Sequence, residues 1–536
     1  MIRYRARQRE RAELQHVIEA HERAGDVARE HHLYDDAARR YEMALKVSAM
    51  TAEQRLRVSE KFATTAFLGR NPSVENPWVK EFVPERFQNS TERKLAFDLL
   101  YQHVRQMGAA LRLDDEHSIS VQALRIAEAI DAPHFLRIAY AKMASVLTRL
   151  GRLEDAKKYL RDVGDVGEDD ALDLQIMYHI LRAFIEATEG HAAEAYESCR
   201  RASHLVEEGP DLYLTTAVWE NYGRCAALLG DADKAKICLE RALSFARQNQ
   251  IAWRIPYLCL GYADLLARSG RDEVAYGYLQ EALSYDVQTP VLDVLLAEIG
   301  IPLALRMRDE ATVTRCSHAS VIRMVFRSQG PMSIGPVSAA FAQLYMQRGE
   351  KRKAQQILHR ALGAVHHVDL TWDLPLEIAR CGSPADLPEA RKLLERRVAL
   401  PTHAVAAAYL SLFDAFAACR HKQPESARRH AGAAVKKFEA IGWLKYAEIA
   451  RALLPAAADP QPVGAIARSA VAKMQSALTP REKQVAELVM KGLTNREIAT
   501  RLSITKHTVD SHVASIIERL GIRSRHQLAD AVWSHP

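Results

Sequence analysis

Apolar positions along most of the chain recur at helical spacing, in units of about forty residues. Five segments share a leading glycine and an amphipathic helix after it: GRLEDAKKYL at Gly151, GHAAEAYESCRRA at Gly190, GDADKAKICLERAL at Gly230, GRDEVAYGYLQEAL at Gly270 and GEKRKAQQILHRAL at Gly349. These glycines lie 39, 40, 40 and 79 residues apart, and the last step holds a degenerate unit near Arg308. A fixed period of this length predicts a solenoid of stacked helical hairpins.

The residues inside each unit fit such a hairpin. Glycine suits the turn where one helix ends and the next begins. The alanine five residues later is small enough to let the two helices approach closely. Leu279 and Ala282 then follow at helical spacing on one face, as do Leu239 and Ala242 in another unit. Further copies without the glycine surround Ala37, Ala390 and Ala427.

Two stretches interrupt this pattern. GRNPSVENPWVKEFVPERF breaks the helical spacing, and we expect irregular structure around 48–115. LPAAADPQPVGAIARSA has three prolines and many small residues, which predicts a linker. We therefore expect an all-α chain in three parts: a helical-repeat domain over 1–452, a linker over 453–474 and a compact four-helix domain over 475–536.

Helix-start signals divide this last domain into four helices. Capping boxes lie at 479–482, 494–497 and 524–527, and Thr505 can cap a further helix that runs to Leu520. The second and third helices are joined by a tight turn, which is typical of a helix-turn-helix whose second helix enters a major groove. On that helix the inner face carries Val509, Val513, Ile516 and Leu520. The outer face carries His507, Asp510, Ser511, Ala514 and Glu518, flanked by Lys506, Ser515 and Arg519.

Two resemblances follow from these motifs. The segment 478–528 resembles the LuxR-type (GerE) DNA-binding domain in its L-T-x-R-E opening, its G-x-[ST]-N-x-E-I-A core, its T-V-x-x-H segment and its [KR]-L-G end. The repeats resemble tetratricopeptide repeats, and their place before this domain is similar to the superhelix of maltose-regulator-type activators. Those activators carry an ATPase, but this chain has no G-x-x-x-x-G-K-[ST] motif, so we expect none.

The LuxR resemblance implies a dimer that binds two DNA half-sites. Carried over, the backbone contacts would be Thr494, Lys506, Thr508, Ser515 and Arg519. Asp510, Ser511 and Ala514 occupy the positions that usually face bases, and His507 lies beside them on the outer face. Dimerisation would use the last helix, which carries Leu528 and Val532.

Asp510 and Ala514 differ from the usual recognition helix, because many LuxR-type domains have lysine at both positions. A carboxylate cannot donate to guanine but can accept from cytosine N4, and alanine can touch a thymine methyl group. Asp510 has two open interpretations: it contacts a base, or it pairs with Lys506 at i−4 or faces water. We interpret His512 as a packing residue.

Charge and composition point to an anionic partner but to no catalytic or cofactor site. Of the net charge of +6, half lies in residues 478–536, where nine Lys or Arg face six Asp or Glu; this favours an anionic partner. The seven scattered cysteines suit a reduced, cytoplasmic protein, and neither a membrane span nor a secretory signal is expected. No catalytic motif or cofactor site is found; the pair His366 and His367 near Asp369 favours a loop over a metal site.

These observations predict a DNA-binding transcriptional regulator rather than an enzyme. Its repeats would sense a small-molecule or protein ligand and control the C-terminal domain. The expected partners are double-stranded promoter DNA, a second copy of the chain and, as a candidate, RNA polymerase. The alternative is a protein-interaction scaffold of tetratricopeptide type, in which Asp510 and Ala514 leave the DNA-binding module weak or silent.

Overall fold

The computed structural model describes residues 2–70, 72, 87, 89–207, 211–327, 331–365, 372–398, 404–454, 478–490, 495–502 and 504–520. Every regular element in these ranges is helical, which confirms the all-α prediction. The chain divides into two compact units, Met1–Leu454 and Pro455–Pro536, which we call the repeat unit and the C-terminal unit. The expected linker, 453–474, lies outside the described residues except for its first two positions.

Most helices of the repeat unit follow one another through short turns, and consecutive helices pack together. Its first thirteen helices are α1 (Ile2–Glu30), α2 (Tyr34–Leu45), α3 (Ala52–Leu68), α4 (Ser90–Ala109), α5 (Leu113–Glu128), α6 (Pro133–Arg149), α7 (Leu153–Val163), α8 (Leu172–Glu189), α9 (Ala192–Leu205), α10 (Leu212–Leu228), α11 (Ala232–Gln248), α12 (Arg254–Arg268) and α13 (Asp272–Ser284). The rest are α14 (Pro290–Leu295), a π-helical turn (Leu296–Gly300), α15 (Ile301–Arg306), α16 (Glu310–Cys316), α17 (Ala319–Arg327), α18 (Pro331–Gln347), α19 (Lys351–Ala364), α20 (Asp373–Cys381), a 3-10 turn (Pro384–Asp386), α21 (Leu387–Val398), α22 (Ala404–Arg420), α23 (Pro424–Ala440) and α24 (Leu444–Ala452).

The forty-residue signature marks real helical hairpins. All five predicted turn glycines have φ between 75° and 91°, in the left-handed region that other residues enter only with strain. The alanines five residues after them are 0% exposed, so each closes the contact between two helices: Ala156, Ala195, Ala235, Ala275 and Ala354. The repeat prediction is therefore confirmed at every unit with the full signature.

The expectation of irregular structure around 48–115 is wrong over much of that range, because α3 and α4 lie there. A capping box between Thr51 and Gln54 starts α3. The turn between α4 and α5 is a repeat turn in which Leu111, with φ of 53°, stands where other units have glycine. Five residues later Glu116 is buried in place of the small alanine. Most of the proline-containing break, 71, 73–86 and 88, lies outside the described residues.

The last helices of the repeat unit pack back onto its middle, through a group that we call the closure cluster: Arg268, Asp264, Asp373, Tyr409 and Tyr446. Arg268 of α12 donates to the Tyr409 hydroxyl of α22 at 2.8 Å and to Asp373 of α20 at 3.3 Å. Its Nε donates to Asp264 at 2.8 Å. Tyr446 of α24 donates to Asp373 at 2.8 Å. The half-buried guanidinium of Arg268 thus connects α12, α20 and α22, and Asp373 extends the network to α24.

Gly230 forms a second contact between the middle and the end of the repeat unit, because it packs against Ile441. We therefore expect Gly230→Ala to destabilise the repeat unit more than Gly349→Ala. Both glycines have a left-handed φ, which costs alanine about 1 kcal/mol. A Cβ at Gly230 would also lie 2.7 Å from Cγ2 of Ile441, whereas one at Gly349 meets nothing within 4 Å. The clash should bring the cost at Gly230 to about 2–3 kcal/mol. Urea unfolding of the two variants measures the difference, and equal costs would contradict the closure contact.

Other sequence expectations can be compared only within the described ranges. No helix in them is long and apolar enough to span a membrane. They contain no cluster of three or more potential metal ligands, and His366, His367 and Asp369 lie outside them. Six of the seven cysteines are buried, as core packing requires, but Cys419 is exposed.

Candidate nucleic-acid interface

The C-terminal unit contains three described helices around a small apolar core. They are α25 (Pro480–Met490), α26 (Asn495–Leu502) and α27 (Lys506–Leu520). The core consists of Leu478, Val485, Ala486, Val489, Ile498, Ala499, Val509, Val513 and Ile516. The predicted inner face of α27 is thus confirmed at its three described side chains, whereas the side chain of Leu520 lies outside the description.

Side-chain caps start α25 and α27 where the sequence predicts. The backbone N–H of Thr479 donates to the Glu482 carboxylate at 2.9 Å, and the N–H of Glu482 donates to the Thr479 hydroxyl at 3.3 Å. This reciprocal pair is a capping box. The Thr505 hydroxyl accepts from the N–H of Thr508 at 3.1 Å, which caps α27. Thr494 and the box predicted at 524–527 lie outside the described residues.

The turn between α26 and α27 is held from two sides. The N–H of Ile504 donates to the carbonyl of Ala499 at 3.0 Å, which satisfies one of the last carbonyls of α26. Arg481 of α25 donates to the carbonyl of Leu502 at 2.8 Å. Because α25 binds the end of α26 and shares a core with α27, the angle of α27 is set by the unit as a whole.

The structure describes only some of the side chains that the sequence predicts on the DNA-facing surface of α27. Ser511 is exposed, and Asp510 and His512 are half-buried. Thr508 is half-buried, and its hydroxyl lies 2.8 Å from that of Thr505. Four further positions belong to α27, but their side chains lie outside the description: Lys506, His507, Ala514 and Arg519. Thr494, Leu528 and Val532 lie outside the described residues altogether.

Ser515 has an internal partner that the sequence did not reveal. Its hydroxyl donates to Glu482 at 2.7 Å, and Glu482 is only 4% exposed. The same carboxylate therefore caps α25 and holds α27. A serine has one hydroxyl proton, so while this bond persists Ser515 cannot donate to a phosphate. A pair 33 residues apart leaves no periodic signal in the sequence, and no motif would have found it.

We expect Ser515→Ala to destabilise the C-terminal unit by about 1–2 kcal/mol, because a buried carboxylate loses a donor. Ser511→Ala is the matched control, since Ser511 is exposed on the same helix and should change stability by less than about 0.5 kcal/mol. Hydrogen exchange of the α25 and α27 amides in the full chain reports this local stability. Equal exchange rates in the two variants would show that the bond to Glu482 contributes nothing.

Comparison with known protein families bears on both units. Residues 476–532 match the family described as "Bacterial regulatory proteins, luxR family". The C-terminal unit contains a LuxR-family helix-turn-helix domain. Residues 216–249, which cover most of α10 and α11, match the family described as tetratricopeptide repeat. The repeat resemblance is thus confirmed at the unit that contains Gly230.

The LuxR-family domain is also where similarity to curated proteins lies. It is 43% identical over 58 residues to the nitrate/nitrite response regulator protein NarL of Escherichia coli K12, covering 11% of this chain and 26% of NarL. It is 41% identical over 68 residues to the transcriptional regulatory protein UhpA of Salmonella typhimurium LT2, covering 13% of this chain and 35% of UhpA. The chain therefore spans about a third or less of these relatives.

Solved helical-repeat structures are similar to a larger part of the chain. A Rap protein complexed with Competence and Sporulation Factor aligns with a TM-score of 0.46 and 12% identity, over 68% of this chain and 100% of its own. The apo form of the quorum sensor NprR from B. thuringiensis aligns with a TM-score of 0.35 and 13% identity, over 65% of this chain and 95% of its own.

Proposed function

We propose that this chain is a DNA-binding transcriptional regulator in which the repeat unit controls the LuxR-family domain. The observation that carries the proposal is α27, a capped helix with a buried inner face and an exposed Ser511 on its outer face, within a matched LuxR-family domain. Such a helix has the length and support to lie in a major groove.

DNA recognition would divide between phosphate and base contacts. Thr494, Lys506, Thr508 and Arg519 would hold the backbone, which positions the helix without reading sequence. Ser515 would join them only by exchanging its bond to Glu482 for a phosphate. Asp510, Ser511 and Ala514, beside His507, would meet base edges. A homodimer formed through the helix that carries Leu528 and Val532 would read two half-sites.

The repeat unit would act as the sensor in the cytoplasm, binding a small molecule or a protein and biasing a conformational or oligomeric equilibrium. Its closure cluster includes Tyr446 of α24, the last described helix before the C-terminal unit. A ligand that loosens or tightens that cluster would change the packing of α24, from which the chain continues towards the DNA-binding domain. On promoters, RNA polymerase would be a further partner.

Selection of genomic fragments by the purified full chain tests this proposal. We expect fragments enriched well above random DNA in about 0.15 M salt, with a shared two-half-site sequence. Equal retention of genomic and random fragments would contradict it. That result would favour a scaffold with a silent DNA-binding module, an alternative supported by the carboxylate of Asp510 on a surface that would face phosphates.

A further inference from the structure

The repeat unit contains a cavity of about 380 Å³ whose wall combines aromatic rings with positive charge. It lies among α4, α6, α8, α10 and α12, which are the first helices of consecutive hairpins, and α14 and the π-helical turn also line it. This volume lies within the range of roughly 300–1,000 Å³ typical of small-molecule pockets. Tyr101, Tyr213, Trp253 and Tyr257 supply ring faces and edges, and Met177 and Leu181 supply aliphatic surface.

Five cationic side chains line this cavity: Arg105, Lys142, Arg149, Arg224 and Arg254. Three of them are matched by carboxylates, in the pairs Arg105–Asp211 at 3.1 Å, Arg254–Glu220 at 2.6 Å and Arg149–Glu116. These ion pairs hold the side chains of the cavity wall in place. Rings next to them, such as Tyr101 at 4.6 Å from the Arg105 guanidinium, add cation–π contacts.

Lys142 has no such partner. Among the described residues, no carboxylate oxygen lies within 4 Å of its Nζ, which instead lies 4.8 Å from the centre of the Tyr101 ring. Burial, with Arg105 nearby, lowers the pKa of Lys142 to about 7. At neutral pH the amine is therefore about half protonated, and a bound anion would stabilise its charged form.

Arg224 is the second cation in excess. Its nearest carboxylate, Glu220, lies 3.5 Å away and is already held at 2.6 Å by Arg254. Glu298 lines the same wall, but burial raises its pKa to about 8, so it is mainly uncharged at neutral pH. The Arg224 side chain is 57% exposed although it lines the cavity, so a ligand inside can reach it.

We propose that this cavity binds a small organic anion with an aromatic or otherwise apolar body, whose charge is matched by Lys142 and Arg224. The rings of the wall would pack against the body, and the two cations would select for the acidic group. This deepens the sensing role proposed above and rests on it, because it names the chemical class of the signal. The binding itself requires no DNA and can be tested separately.

Two fluorescent probes that share their ring system separate the charge from the apolar body. We expect 8-anilinonaphthalene-1-sulfonate, an aromatic anion, to bind the full chain saturably at one site. Lys142→Met should weaken that binding about tenfold and leave its uncharged analogue, N-phenyl-1-naphthylamine, within about twofold. Lys158→Met, which removes an exposed lysine of α7, is the control and should change neither affinity.

Arg224→Met is an independent second variant with the same expected pattern. Thermal unfolding serves as the folding check, and Lys142→Met should not lower the Tm because it removes a half-buried amine for which the described residues supply no carboxylate partner. Absence of saturable binding of the anionic probe, or equal losses for both probes, would overturn the proposal. Anion binding by a chain that ignores genomic DNA would instead contradict the proposed regulator function alone.

Discussion

The double variant Lys506→Glu, Arg519→Glu is expected to bind promoter DNA more weakly than the wild-type chain by about three to four powers of ten in about 0.1 M salt. Both positions belong to α27, and a dimer would lose four phosphate contacts. Each contact releases about 0.9 counterion, so four contribute between three and four powers of ten at this salt concentration. The plot of log affinity against log salt should become shallower by about 3–4 units.

The control for this variant is Lys158→Glu, Arg161→Glu, which makes the same change in net charge at exposed positions of α7 in the repeat unit. Fluorescence anisotropy with a promoter fragment, at several salt concentrations, measures both pairs. Equal losses in the two variants would mean that overall charge, and not α27, attracts the DNA. An unchanged affinity in the α27 variant would contradict its role as the reading helix.

The regular part of the fold was predictable because its signature is local. A left-handed turn favours glycine, and a close helix contact favours a small residue such as alanine five residues later, so Gly230 and Ala235 together identify a hairpin from sequence alone. The caps at Thr479 and Thr505 were predictable for the same reason, since each bond joins residues three apart.

The unit around α4 and α5 escaped prediction because both signature positions are altered there. Leu111 takes the left-handed turn, and Glu116 replaces the alanine. Glu116 pairs with Arg149 in the wall of the cavity. The departure from the repeat pattern thus lies at the proposed ligand site, where an ion pair takes the place of the alanine contact between two helices.

The contacts that define the candidate sites join residues too far apart for any pattern to reveal them. Ser515 and Glu482 are 33 residues apart, and Arg268 and Tyr409 are 141 apart. Side chains of the cavity come from successive hairpins and meet only after stacking. Sequence predicts that a groove exists, but which side chains face into it depends on the superhelical twist.

The substitution Arg268→Met is expected to destabilise the packing of α20, α22 and α24 on α12 by about 3 kcal/mol. The Arg268 side chain is 16% exposed, and its guanidinium lies 5.2 Å from the ring centre of Trp443. It also donates hydrogen bonds to Asp264, Asp373 and Tyr409. Methionine preserves most of the apolar contact but leaves two carboxylates without their cation. An uncompensated, partly buried charge is the largest part of the cost.

Hydrogen exchange of the α20 and α24 amides in the full chain measures this opening directly, and about 3 kcal/mol corresponds to an exchange rate about a hundredfold faster. Arg271→Met, at an exposed position three residues further on, is the matched control and should leave exchange unchanged. Adding Asp373→Asn to Arg268→Met should recover part of the loss, because the stranded charge is removed. If the double variant exchanges as fast as Arg268→Met, the cost lies in packing and not in charge. If neither differs from wild type, the closure cluster does not hold the last helices in place.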